Sequence, residues 1–215
     1  MSGALSGREA FDLLDWKRRI FDVYREVRDS EDHRVAWQRW RAVRDDLFAT
    51  HPQSPIPPSA RGTFAGLPFF DYTPTGRVLA EIREVDAQSY DITTSGEPGS
   101  SYRFTRVAVA SFAWEGEPIE LEVYWLQGYG GGIFLPFRDG TSGQETYGAG
   151  RYLLDTLKGA DLGTSEDGRL VLDFNFAYNP SCAYDPAWVC PLAPPPNRLR
   201  VPIRAGERYL PPEQA

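Results

Sequence analysis

The chain holds two cysteines, two histidines and two lysines in 215 residues, and each scarcity closes off a class of chemistry. A structural zinc site needs about four Cys or His ligands. His33 and His51 lie far upstream of Cys182 and Cys190, so no thiolate or imidazole metal centre is expected. An oxygen-ligand cation site stays open, although no D-x-[DN]-x-[DN]-G calcium loop is present. No metal and no cofactor are predicted. Long apolar runs are also missing: none approaches the ~20 residues that span a bilayer. Met1 to Arg8 lack a basic segment followed by an apolar one, so a cytoplasmic protein with no membrane partner is the expectation, its cysteines kept as thiols. The 23 basic residues are Lys17, Lys158 and 21 Arg, which reads as Arg standing in for Lys by codon bias. The net charge is −7. Residues 1–50 carry ten basic and ten acidic side chains, so the remainder carries all of the excess. With no net basic surface in either part, nucleic acid is not expected as a partner.

What is present divides at about residue 60. Leu13, Trp16, Ile20, Tyr24 and Val27 recur at spacings of three and four, which predicts an amphipathic helix over 9–28. Ala36, Trp37, Trp40, Leu47 and Phe48 repeat the pattern after a polar break, with Asp32 placed to cap the second helix. The segment His51 to Pro58 has four prolines in eight residues and ends the hairpin. From Gly62 the period becomes two: Ile119, Leu121, Val123 and Trp125 alternate with Glu120, Glu122 and Tyr124, and a similar alternation runs through 103–108. Further strands are predicted at 64–70, 77–85, 88–93, 132–137, 150–155, 169–176 and near 200–203, with a helical turn over 151–158 as an alternative. No strand is followed by a long helical pattern, so the class is α+β. A helical hairpin (1–50) and a Pro-rich connector (51–61) precede a β-rich part (62–208), an antiparallel β-sandwich or partly closed β-barrel with a Pro-rich C-terminal wrap. A flexible tail is predicted at 209–215, and the whole is one structural domain.

Polar side chains concentrate in two runs, Phe137 to Tyr152 and Leu172 to Tyr184. In the first, Gly140, Gly143, Gly148 and Gly150 permit close backbone approach beside Thr141 and Ser142, while Arg138 and Arg151 offer planar donors for a carboxylate or phosphate. The alternative is that these arginines pair with Asp139, Glu145 or Asp173 and fix the loop. In the second, alternation with Leu170, Leu172, Phe174 and Phe176 places Asp173 and Asn175 on the opposite face, toward solvent or a polar cavity. Tyr178, Asn179, Ser181, Cys182 and Tyr184 cluster where Pro180 ends that strand; Asn179 and Asp173 could equally cap turns. Gln127 to Gly132 reads as a hairpin turn and not a phosphate loop, because a strand follows it where a helix is required. Gly-x-Ser-x-Gly is absent, which leaves Cys182 and Cys190 as the better nucleophiles, each with a buried inert thiol as its alternative.

The arrangement Trp16-Lys-Arg-Arg, Arg44-Asp-x-Leu-Phe-x-x-His51-Pro-x-Ser-Pro, the full run Phe137 to Tyr152, the run Asp173 to Tyr184 and Cys190-Pro-Leu-Ala-Pro-Pro-Pro-Asn-Arg198 resembles the bacterial and archaeal family of domain of unknown function 1684, over about Leu14 to Arg208. The resemblance implies a cytoplasmic, self-contained domain and brings no activity with it. The leading expectation is a site for a small anionic or polar molecule in the β-part. Arg138, Arg151, Thr141, Ser142, Asn175, Tyr178 and Asn179 would bind it, with Asp173 as acceptor or general base and Tyr147 as proton donor. Two alternatives stand beside it. One is a structural or interaction protein, a homodimer included, whose polar runs only lock loops. The other is a thiol-dependent enzyme using Cys182 or Cys190.

Overall fold

The computed structural model describes residues 6–209. Of the tail predicted at 209–215, all but Tyr209 lies outside the described residues. Two helices open the chain, α1 (Gly7–Asp29) and α2 (His33–Thr50). Ser6 and Glu9 form a reciprocal capping box on α1, and the Asp32 carboxylate accepts from the Val35 amide at 3.0 Å to start α2. The buried positions of the hairpin follow the apolar spacing, with Ile20, Val23, Tyr24 and Val27 facing Ala36, Trp37, Trp40, Leu47 and Phe48.

Six antiparallel strands follow: β1 (Arg77–Thr93), β2 (Ser101–Trp114), β3 (Glu117–Leu126), β4 (Ile133–Phe137), β5 (Arg151–Asp155) and β6 (Leu170–Asp173). Their order in the sheet is β5-β4-β3-β2-β1-β6. The two edges come back together, because Tyr152 of β5 exchanges main-chain hydrogen bonds of 2.9 and 3.0 Å with Tyr178, just beyond β6. The sheet is therefore nearly closed into a barrel. Inside it lie Phe112, Trp114, Leu121, Leu135, Phe137, Leu153, Leu172 and Phe174, while the helical hairpin covers the outer face of β1 and β6 through Leu79, Val171 and Phe176.

Several strand boundaries differ from the sequence-based expectation. The segments 77–85 and 88–93 are one long β1 with an irregular register between Glu84 and Gln88. Residues 64–70 form no strand; a 3₁₀ turn at Pro58–Thr63 precedes a single bridge from Phe69 to Glu207. The predicted strand at 169–176 stops at Asp173. The Asp173 carboxylate accepts from the Asn175 amide at 2.9 Å and draws Phe174–Phe176 into a 3₁₀ turn, so the period of two breaks there. Residues 151–158 divide into a strand and the 3₁₀ turn Thr156–Lys158. The alternation in β3 also inverts at its end, where Tyr124 is buried and Trp125 is exposed. A bulge in β2 between Arg106 and Ala108 changes the register at that point, and Tyr124 joins Ile92, Phe104, Phe134 and Tyr152 in a separate apolar cluster.

The C-terminal wrap is not a strand near 200–203, yet it completes the sheet. Pro136 has no N–H to extend the β3–β4 ladder, which has only two residue pairs. The fully buried Asn197 amide fills the gap: its Oδ1 accepts from Glu122 N at 2.8 Å, and its Nδ2 donates to Glu122 O at 2.9 Å and Pro136 O at 2.8 Å.

Candidate functional site

The glycine-punctuated run between β4 and β5 forms a closed hydrogen-bonded unit. Arg151 is 1% exposed, and its guanidinium donates to Asp139 Oδ2 at 2.6 Å, to Ile203 O at 3.0 Å and to the carbonyls of Ala205 and Glu207, with the Phe137 ring against its face. Burial lowers its pKa and Asp139 opposes that. Asp139 spends its other oxygen on Thr141, accepting from its amide at 2.6 Å and from its hydroxyl. Thr141 Oγ1 meets Thr146 Oγ1 at 2.8 Å, and Ser142 Oγ accepts from the Asp139 amide at 3.1 Å. Gly150 has φ +100°, and a Cβ there would lie 2.5 Å from the Phe137 carbonyl oxygen, so the chain passes only as glycine. The donors of Arg151 and Thr141 that would meet an anion are thus turned inward, and the Ser142 hydroxyl is engaged as an acceptor. Glu145 goes to Arg204, at 2.9 Å. Arg138 remains half-buried with no side-chain hydrogen bond or ion pair among the described residues.

Asn179 and Tyr178 belong to a second internal unit, which joins the hairpin to the barrel and leaves Asn179 Oδ1 and Arg44 Nε without hydrogen-bond partners among the described residues. Glu207 is wholly buried and accepts from Arg44 Nη2 of α2 at 2.9 Å, from the Asn179 amide at 3.1 Å, from Asn179 Nδ2 at 3.2 Å and from the Tyr184 hydroxyl. The Arg44 guanidinium lies over the rings of Trp40, Phe48 and Tyr178 at 4.9–5.1 Å. Burial pushes the Glu207 carboxyl up to about 7 despite Arg44 and Asn179. Glu207 does not stand out in the sequence, and Arg44 does so only as part of a motif with no role attached, because both look like ordinary charged residues until the fold removes them from water.

Asp173 stands apart. It is 2% exposed, and its Oδ1 accepts from Asn175 N at 2.9 Å and Nδ2 at 2.8 Å, while its Oδ2 has no hydrogen-bond partner among the described residues. Burial raises its pKa, opposed by Asn175 and by the charges of Arg77 and His33. Asp173 lines a cavity of about 130 Å³ between the C-terminus of α1, the start of α2 and the loop before β6. Arg28, His33, Arg77, Thr164 and Ser165 share that lining. Arg77 is the residue opposite Asp173 in the β1–β6 ladder, yet no ion pair joins them within 4.0 Å. Arg28 reaches across to the Asp161 carbonyl at 2.7 Å, past Gly163, whose φ of +76° and missing Cβ let it through. Asn175 does not open into the cavity. Its amide clamps Thr73, accepting at 3.0 Å and donating at 2.8 Å, beneath Gly76, where a Cβ would come within 2.4 Å of Nδ2.

Tyr147 is not part of the cavity lining; it packs on Tyr209, and its hydroxyl lies 3.4 Å from Cys182 O and 3.8 Å from Cys182 Sγ. Cys182 and Cys190 are both buried free thiols. The predicted acid–base partners Asp173 and Tyr147 therefore occupy different places. Sequence reasoning singled out Asp173 but missed Arg77, Arg28 and His33, since a cross-strand register and a helix end bring them to it. Among the described residues, no three His, Cys, Asp or Glu side chains come together as a metal site, and no helix is long and apolar enough to cross a membrane.

The family model described as protein of unknown function DUF1684 matches residues 62–208. A solution NMR structure of an uncharacterized protein from Haloarcula marismortui is similar to this chain, with 37% identity and a TM-score of 0.60 over 85% of this chain and 97% of that one. No curated protein matches.

Proposed function

The chain belongs to the DUF1684 family, and because that membership carries no activity, we propose from the geometry that the protein binds a small molecule bearing both a carboxylate and a hydrogen-bond donor in the cavity at Asp173. The observation that carries this reading is the unpartnered Oδ2 of a carboxylate that is 98% enclosed, facing Arg77 and His33 without an ion pair to either. A ligand amine or hydroxyl would donate to that oxygen, and its carboxylate would meet Arg77 and Arg28. Drug-sized ligands occupy roughly 300–1,000 Å³. A cavity of about 130 Å³ suits a molecule of a few heavy atoms, such as a small amino or hydroxy acid.

Titration of the folded protein with glycine, alanine, glycolate and lactate, followed by backbone amide NMR, tests this. Perturbations should centre on Gly163 to Ser165 and Asp173, and Arg77→Gln and Asp173→Asn should each remove them. Acetate and methylammonium, each with half of the required chemistry, should bind at least tenfold more weakly, a loss of about 1.4 kcal/mol. The absence of any perturbation at these residues with millimolar ligand would overturn the assignment.

The loop-locking alternative is favoured for the run Phe137 to Tyr152, where Arg151, Thr141 and Ser142 supply internal bonds, and for Asn175 and Asn179 of the second run, which hold Thr73 and Glu207.

A further inference from the structure

The C-terminal wrap carries its charge on one side. From Arg198 to Ala205 it alternates: Leu199 and Val201 pack against the barrel core and Ile203 and Ala205 are buried in it, while Arg198, Arg200, Pro202 and Arg204 are exposed. Arg138 joins this outer row from the end of β4. Its amide donates to Asn197 O at 2.9 Å and its carbonyl accepts from Leu199 N at 2.8 Å, a parallel bridge that sets Arg138 beside Arg198. Bridged residues lie about 4.8 Å apart and turn their side chains to the same face. Phe137 and Asp139 on either side of Arg138 are buried, so the Arg138 side chain is the one that emerges.

One member of the row already holds a carboxylate. Arg204 lies on Glu145, with Nε at 3.0 Å and Nη2 at 2.9 Å from Oε1. Arg138, Arg198 and Arg200 have no ion pair and no side-chain hydrogen bond among the described residues. Other arginines on the barrel surface are neutralised, Arg83 by Glu120, Arg103 by Asp91, Arg106 by Glu122 and Arg169 by Asp167. Three uncompensated cations thus stand together in the part of the chain that carries the whole negative excess.

We infer that this row docks an extended acidic segment of a protein partner, with Asp or Glu at alternate positions. An extended chain rises about 3.3 Å per residue, so Arg198 and Arg200 repeat at the same interval, roughly 6.6 Å, as the carboxylates of a Glu-x-Glu segment laid along them. Arg138 adds a second planar donor beside the first, and each guanidinium can take a carboxylate through two hydrogen bonds, as Arg204 takes Glu145. The row is exposed and linear, which suits a chain lying along it rather than a small molecule enclosed by it. It contains no aromatic side chain on which a base could stack, and the net charge of −7 opposes the approach of nucleic acid or an anionic membrane. The row shares no residue with the Asp173 cavity, so the two readings stand or fall separately.

Titration of the native protein with a decapeptide of alternating Glu and Ser, followed by backbone amide NMR, tests the assignment. The amides of Arg138 to Gly140 and Asn197 to Val201 should shift, and raising the salt from about 50 to about 300 mM should weaken binding at least tenfold by screening. The double variant Arg198→Gln/Arg200→Gln should lose at least tenfold in affinity with an unchanged melting temperature, because neither side chain holds a partner within the fold. Arg103→Gln, which removes a cation already paired, should bind as the wild type does. The matching decapeptide of Gln and Ser should not bind. No shift at these amides, equal binding of the Gln peptide, or tighter binding of a thymidine decanucleotide or of phosphatidylserine vesicles would each overturn the proposal.

Discussion

Two aspartate–arginine pairs sit on the same barrel and behave in opposite ways. Asp139 and Arg151 meet at 2.6 Å, and between them they engage three carbonyls and a threonine, so their capacity for hydrogen bonding is spent on the fold. Asp173 and Arg77 face each other across a ladder and leave a carboxylate oxygen open toward a cavity. The residue types are the same in both places. The difference lies in what surrounds them: main-chain carbonyls converge on Arg151 from the wrap at 203–207, whereas Asp173 is held by Asn175 alone and shares its cavity with Arg28, His33 and Arg77. A saturated pair is structural and an unsaturated one is available, a distinction that no motif records.

The comparison can be broken at four points. Arg151→Ala leaves Asp139 as an uncompensated buried charge and should cost about 3–5 kcal/mol in urea unfolding; a loss under about 1 kcal/mol would show that the pair is not structural. Glu207 should give stability a pH slope. Its folded pKa of about 7 lies above its ordinary value of 4.5. Its contribution is therefore fully present below pH 4.5 and lost as the pH rises through 7. Glu207→Gln should flatten denaturation midpoints over that window, and an unchanged slope would place the titration elsewhere. Asn175→Ala should cost about 1–3 kcal/mol, because it strips the Thr73 amide and carbonyl of partners. Arg77→Ala, removing a side chain with no hydrogen bond or ion pair among the described residues, should change stability by less than about 0.5 kcal/mol while abolishing ligand-induced shifts. Equal destabilisation by Arg77→Ala and Arg151→Ala would erase the distinction.

The hairpin, the change of period near residue 60 and the antiparallel class were all legible because apolar spacing is a local property. Asp32 as the cap of α2 was equally local. The strand ends were less so. Asp173 carries both an apolar alternation behind it and an Asx turn ahead of it, and the turn wins because its carboxylate can satisfy the Asn175 amide directly. The polar runs were recognisable as special but not as structural or binding, since this depends on which carbonyls arrive from 50 residues away. Arg77 and His33 were invisible for the same reason: they become site residues through register and helix packing.

The carbonyls that accept from Arg151 lie 52–56 residues downstream of it. Until that segment arrives, β5 carries a cation that has no place in an apolar interior, so the barrel cannot seal early. Closure is expected to be a late event in folding, with the docking of residues 203–207 on the native side of the barrier. Destabilising substitutions at Ile203 or Ala205 should accordingly accelerate unfolding far more than they slow refolding.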